Sequence, residues 1–240
     1  MSQVQTVVTA AGSSLKSFLT AGFSSPKSLV SVDGQPLLIA ATKSYSVSLG
    51  ETVVAINREE DVNFGISEMI KNHLPMVQIY SSPDRGHGAL ITAMCALEGL
   101  DPSGPLAIAS GDSTYKGQIS TAVETIRDSG AKAGTLAFPS TSPRWSYLRL
   151  DKTGDVIEVA EKRVVGPYAT TGFFYFESVN LFLEAAKWVL VNNVNHEGKF
   201  FVSATLNYLV SLGEKVAVQL AQPSEYRSYS VPYDFIEESK

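Results

Sequence analysis

The chain has 240 residues, of which 44% are hydrophobic and 18% charged, with a formal net charge of −5. This length and apolar content suit one large α/β domain with an ample core; the negative balance argues against nucleic acid or an anionic membrane surface as the main partner. No apolar run reaches membrane-spanning length, no signal segment opens the chain, and a lone cysteine makes no internal disulfide, so a soluble cytoplasmic protein is expected.

The first predicted strand, residues 4–9, runs into Ala10-Ala11-Gly12-Ser13-Ser14-Leu15-Lys16. A strand that ends in a Gly-Ser loop turns backbone N–H groups toward a phosphate chain. The same residues also read as a tight turn, since they lack the Gly-x-Gly-x-x-Gly of a dinucleotide site and the Gly-Lys-Ser/Thr of a P-loop. Lys16 and Lys27 lie just beyond, the second fixed by Pro26, and supply local positive charge. Strands are predicted at 52–56, 77–80 and 106–109, and helices at 37–49, 61–72, 89–100 and 119–128. Alternation of this kind implies a mainly parallel, Rossmann-like sheet flanked by helices on both faces. Ligands bind outside the carboxyl ends of the strands in such sheets. The Gly12 loop and the Gly111-Asp112 pair both fall at such ends and are expected to share one crevice. A carboxylate there suits a divalent cation, or equally an Asx turn or helix cap. Arg85-Gly86-His87-Gly88 precedes the helix at 89–100, where backbone can approach a base or phosphate. Cys95, within that helix, is expected to be a buried structural thiol.

The second half reads as mixed β plus helix. Strands are predicted at 145–151, 156–161 and 171–176, the first two joined by the hairpin signal Lys152-Thr153-Gly154-Asp155. A helix at 178–191 follows, then a helical stretch at 203–212 closed by Gly213, a strand at 216–220, and a polar tail after Gln222 expected to pack as a terminal helix or arm. Glu161-Lys162-Arg163 ends a strand: Lys162 can meet a phosphate with Glu161 holding it by charge, or the group is only a polar strand end. Three scattered histidines and one cysteine make no zinc pattern. Phe200, Phe201, Tyr208, Tyr226, Tyr229 and Tyr233 give the C-terminal third an aromatic surface suited either to the core or to a homo-oligomer interface.

Taken in order, Ala-Ala-Gly-Ser-Ser, Pro-Lys-Ser-Leu, Gly-Gln-Pro-Leu-Leu, Ser-Gly-Asp, Val-Ala-Glu-Lys and Ala-Thr-Thr-Gly-Phe-Phe-Tyr-Phe resemble the sugar-phosphate nucleotidyltransferases over nearly the whole chain. The segment Tyr168–Phe176, with Glu197-Gly198-Lys199-Phe200-Phe201-Val202 downstream, is most similar to the short capsule and surface-glycan branch. That branch includes cytidylyltransferases acting on phosphorylated small molecules such as phosphoglutamine. The resemblance implies a GT-A-like nucleotidyltransferase domain, with residues 1–140 as nucleotide-binding half and 141–240 as acceptor-binding half. It implies that Ala11, Gly12, Ser13, Ser14 and Gly111 surround the nucleotide phosphates and that Gly86 approaches the base. Lys16 would stand where the family has a catalytic Arg, Lys27 would meet the α-phosphate, and Asp112 would bind Mg²⁺. Glu161, Lys162 and Gly172 would face the acceptor. The implied partners are a nucleoside triphosphate, CTP favoured with UTP or dTTP as alternatives, and a phosphorylated sugar or small polar metabolite, joined with release of pyrophosphate.

The sequence departs from this pattern in three places. The second Gly of the loop is Ser13 or Ser14, depending on register, with an extra residue before Gly22. Lys16 keeps the charge of an Arg without its bidentate fork. Where relatives carry Gly-Thr-Pro-Glu-Asp, this chain has Ser228-Tyr229-Ser230-Val231-Pro232-Tyr233-Asp234, leaving Asp234 as the candidate second metal ligand. Alternatives are a degenerate nucleotide or nucleotide-sugar binder with a regulatory or scaffold role, and a glycosyltransferase, whose usual Asp-x-Asp is replaced here by Gly-Asp-Ser.

Overall fold

A computed structural model describes residues 3–83 and 86–236. Nine strands form one sheet: β1 Gln5–Ala10, β2 Thr52–Asn57, β3 Gln78–Ser82, β4 Leu106–Ser110, β5 Ala133–Pro139, β6 Ser146–Leu150, β7 Val156–Glu161, β8 Tyr168–Phe176 and β9 Val216–Leu220. The order is β7-β6-β8-β4-β1-β2-β3, with β5 also on β8 and β9 on β5. The block β4-β1-β2-β3 is parallel throughout. Strand β8 runs antiparallel to β4, β5 and β6, and so joins the parallel block to the mixed second half.

Residues that alternate along the parallel strands explain the layering. Val7, Val53 and Ala55 face one apolar cluster with Leu90, Ala93, Phe182 and Ala186, whereas Val8, Val54 and Ile56 face another with Leu38, Ile39, Ile66 and Ile70. A strand buried on both faces needs a continuous apolar run, which is what these segments carry. Strand β8 does the same with aromatics, since Phe174 and Phe176 join the first cluster while Phe173 and Tyr175 pack on the side of Tyr45 and Tyr115. Its register shifts between Thr170 and Phe174, where Gly172 has φ +86, a conformation that favours glycine.

Several elements differ from the sequence expectation. The helix expected at 61–72 is two helices, Arg58–Phe64 and Ile66–His73, because Gly65 adopts a left-handed conformation between them. The helix expected at 37–49 ends at Tyr45, where Ser46 becomes extended, and the one expected at 89–100 ends at Cys95. Cys95 is exposed rather than buried: its helix presents Leu90 and Ala93 to the core, and at 100° per residue position 95 points away. The stretch expected as a helix at 203–212 is a 3₁₀ turn followed by the helix Leu206–Ser211. Strand β5 has no counterpart in the sequence reading. The tail contributes a short strand, Tyr226–Ser228, paired with Ser113–Tyr115, and a helix, Pro232–Ile236. Tyr226 and Tyr229 are buried within the chain, while Tyr233 is exposed.

The helix Val179–Val191 starts at Ser178, whose hydroxyl accepts the Leu181 N–H at 3.1 Å, and it buries Phe182, Ala185, Ala186 and Val189. Phe182 is fully buried, with its ring 5.2 Å from that of Phe176. Phe182→Ala is therefore expected to lower stability by about 3–5 kcal/mol. The readout is a lower urea midpoint at unchanged slope; a shift of well under 1 kcal/mol would contradict this packing.

Candidate functional site

Strands β1 and β4 are parallel neighbours, with Thr9 opposite Ser110 in register, so the loops that leave their carboxyl ends meet. The Gly111 N–H donates to the Thr9 carbonyl at 2.9 Å. A Cβ on Gly111 would lie 2.8 Å from that of Ala10, so only glycine permits this approach. Next to it, the Lys27 ammonium and the Asp112 carboxylate form an ion pair at 2.7 Å, with Ser110 Oγ donating to the other carboxylate oxygen. Burial pushes the Asp112 carboxyl upward. Attraction to Lys27, its hydrogen bond and that of Ser110 outweigh burial, and the carboxyl is held below the ordinary carboxylate range.

The Gly-Ser loop is held by residues the sequence reading did not single out. Asn57 caps the helix Arg58–Phe64 by accepting the Glu60 N–H at 2.9 Å, and its amide donates to the Ala11 carbonyl at 3.0 Å. Glu60, only 4% exposed, points back at the loop, where Oε1 accepts the Ser14 N–H at 2.8 Å and the Leu15 N–H at 3.0 Å. Ser14 Oγ in turn accepts the Lys27 N–H at 3.1 Å, which ties the loop to the Pro-Lys segment. The amide of Ser14, expected to face phosphate, is thus occupied by an internal carboxylate.

The Gly-Ser loop, Lys27, Glu60, Ser110 and Asp112 line a cavity of about 380 Å³ together with Thr9, Ser28, Gly86, Gly88, Thr92 and Lys199. All six residues proposed for the nucleotide, namely Ala11, Gly12, Ser13, Ser14, Gly86 and Gly111, lie on it, as do Lys27 and Asp112. Lys16 does not: it is exposed on the first short helix, outside the cavity. Arg85 lies outside the described residues. Ser28, 8% exposed, lines the cavity, and its buried hydroxyl has no hydrogen-bond partner among the described residues. Buried hydroxyls are rarely left so unless something else meets them.

A second cavity, of about 210 Å³, shares Ser110 and Asp112 with the first and adds Arg144, Trp145, Glu161, Lys162, Gly172 and Tyr226. All three candidate acceptor residues, Glu161, Lys162 and Gly172, are therefore here. Lys162 has φ +51 and its N–H donates to the Trp145 carbonyl at 2.9 Å, setting the residue at the strand end. Glu161 is turned to the hydroxyls of Ser146 and Ser203 rather than to Lys162. Gly172 packs on Ser110, whose Cβ would be 3.0 Å from an added methyl.

Asp234 is not brought to Asp112. It pairs with Arg144 at 3.0 Å and accepts the Val231 N–H, and it lines a different cavity with Tyr229 and Pro223. Among the described residues no group of three or more His, Cys, Asp or Glu side chains is placed to hold a metal ion. Asp112 is the carboxylate at the junction of the two cavities, and a hard cation there would draw most of its ligands from water and substrate oxygens.

No protein-family model matches the sequence, and no curated protein matches it significantly. Solved structures do match in fold. A nucleoside-diphosphate-sugar pyrophosphorylase from Vibrio cholerae RC9 superposes with a TM-score of 0.81 at 19% identity, covering 97% of this chain and 98% of that one. A putative glucose-1-phosphate thymidylyltransferase from Bacillus anthracis gives 0.76 at 14% identity, covering 98% and 93%. The inositol-1-phosphate CTP transferase from T. maritima gives 0.71 at 15% identity, covering 98% and 92%. The chain shares their fold.

The ion pair makes a pH-dependent prediction. With its native pKa depressed, Asp112 stabilises the fold above its unfolded value near 4, and that contribution is lost as pH falls through the native value. Lys27→Met removes the cation and leaves the part-buried carboxylate with the Ser110 hydroxyl but no counter-charge, at a cost of about 1–3 kcal/mol at pH 7. The difference between variant and wild type should shrink toward pH 3, as Asp112 becomes protonated in the variant. Urea melts at both pH values check this; an equal difference at both would show that Asp112 is not the group involved.

Proposed function

We propose that the protein is a nucleotidyltransferase, joining a nucleoside monophosphate to a phosphorylated sugar or small polar metabolite with release of pyrophosphate. The observation that carries this reading is the junction itself: a cavity lined by the Gly-Ser loop and a cavity lined by Lys162 meet at Ser110 and Asp112. Two substrates, one in each cavity, would bring their phosphates together beside Lys27 and Asp112. Fold likeness to a pyrophosphorylase and a CTP transferase supports the reading. CTP as donor, and a role in capsule or surface-glycan synthesis, rest on the sequence resemblance.

In this reading an acceptor phosphate oxygen forms a bond to the α-phosphorus while the bond from that phosphorus to the bridging oxygen of the β-phosphate breaks, and pyrophosphate leaves with the electron pair. No covalent enzyme intermediate is needed; the protein contributes position and charge. Lys27 exchanges Asp112 for an α-phosphate oxygen. Lys162 holds the acceptor phosphate. Asp112, with Ser110 behind it, fits as the protein ligand of a Mg²⁺ ion completed by water and phosphate, and such an ion would neutralise charge on the reacting phosphates.

One observation favours a second reading, a nucleotide binder without turnover. Glu60 occupies two loop amides, and among the described residues no group of three or more His, Cys, Asp or Glu side chains is placed to hold a metal ion. Pyrophosphate release separates the two. Incubated with Mg²⁺, each of the five common triphosphates and a panel of hexose 1-phosphates and phosphorylated amino-acid amides, the wild type should release pyrophosphate with one pair. Asp112→Asn should reduce that rate about 100-fold or more. Full turnover in Asp112→Asn would reject the proposed site; binding without any release would favour the second reading.

A further inference from the structure

The charges around the larger cavity are unevenly engaged. Among its described lining residues the charged side chains are Lys27, Glu60, Asp112 and Lys199. Lys27 is held by Asp112, and Glu60 adds a second negative charge facing the loop amides. Lys199 has no carboxylate partner among the described residues. A nucleoside triphosphate brings about four negative charges at neutral pH and must find cations in such a site. Lys16, which the sequence resemblance placed in that role, lies outside the cavity.

Lys199 comes from the far half of the chain, and its place is fixed by backbone. His196 and Lys199 close a tight turn with two mutual hydrogen bonds of 3.0 Å, and Glu197 and Gly198 between them have φ +51 and +75. Positive φ at both central positions is what a type I′ turn requires. The next residue docks on the segment that opens the helix Ala89–Cys95: the Phe200 N–H donates to the His87 carbonyl at 2.9 Å, and the Leu90 N–H donates to the Phe200 carbonyl at 3.1 Å. Gly88 makes this possible, since a Cβ there would stand 2.3 Å from the Phe200 carbonyl oxygen.

We propose that Lys199 is the cation for the distal phosphates of the nucleotide, acting in the same cavity as the Lys27–Asp112 pair. This rests on the nucleotidyltransferase reading of the cavity. It assigns Lys199 to the part of the ligand that leaves as pyrophosphate, and so to discrimination between triphosphate and monophosphate.

The test is calorimetric titration of the full chain in Mg²⁺ with CTP, UTP, dTTP, ATP and GTP, followed by the triphosphate and monophosphate of the base that binds. Lys199→Met should weaken triphosphate binding about 10- to 100-fold, the range for loss of one charge-assisted contact, and monophosphate binding less than about threefold. Its melting temperature should match that of the wild type, since the side chain is exposed on a turn. Triphosphate binding unchanged in Lys199→Met, or an equal loss for monophosphate, would overturn the proposal while leaving the cavity a nucleotide site. A larger loss of triphosphate affinity in Lys16→Met would overturn it as well, in favour of the loop lysine. If the wild type binds none of the five, the reading beneath it fails too.

Discussion

The Lys27–Asp112 ion pair joins parts of the chain that are otherwise separate, and the site is organised around it. Lys27 is set by the Pro-Lys segment and by Ser14 of the first loop; Asp112 leaves the end of β4. The two meet because β1 and β4 are parallel neighbours in matched register and because glycine at 111 lets the chains approach. Side chains of 21% and 23% exposure make this a pair shielded enough to depress the carboxyl and open enough to exchange partners. It also sits where the two cavities touch, so a change there reaches both.

Behind the pair stands a second constraint, the chain of hydrogen bonds from Asn57 through Glu60 to the first loop. A carboxylate buried against two backbone N–H groups fixes the loop. It also alters what the loop can do. With Ser14 and Leu15 amides occupied, the loop is not an open anion nest, and more of the work of holding phosphate falls to lysines. The Lys199 proposal follows from that charge distribution rather than from the loop alone.

Much of the frame is legible in the sequence because β-branched runs and helical spacing mark it. The strands at 4–9, 52–56 and 106–109 lie within a residue or so of β1, β2 and β4, and 156–161 and 216–220 coincide with β7 and β9. Strand β5, Ala-Gly-Thr-Leu-Ala-Phe-Pro, escapes notice since alanine, glycine and proline are poor strand formers and pairing with β8 and β9 decides its state. Glu60 is not legible as a site residue, because its bond to Ser14 spans 46 residues and depends on how Asn57 caps a helix. Lys199 is hidden for a similar reason, as only the docking of Phe200 on Gly88 brings it to the cavity. Asp234 shows the reverse: a carboxylate singled out from its place in the sequence pairs with Arg144.

In the proposed site Asp112 lies where nucleotide phosphates and a divalent cation meet. The most direct measurement is the affinity for whichever of the five triphosphates binds, with and without saturating Mg²⁺, in wild type and Asp112→Asn. The proposed site requires Mg²⁺ to tighten binding by more than about tenfold in the wild type and the gain to vanish in the variant. An equal gain in both proteins would place the cation elsewhere and contradict it.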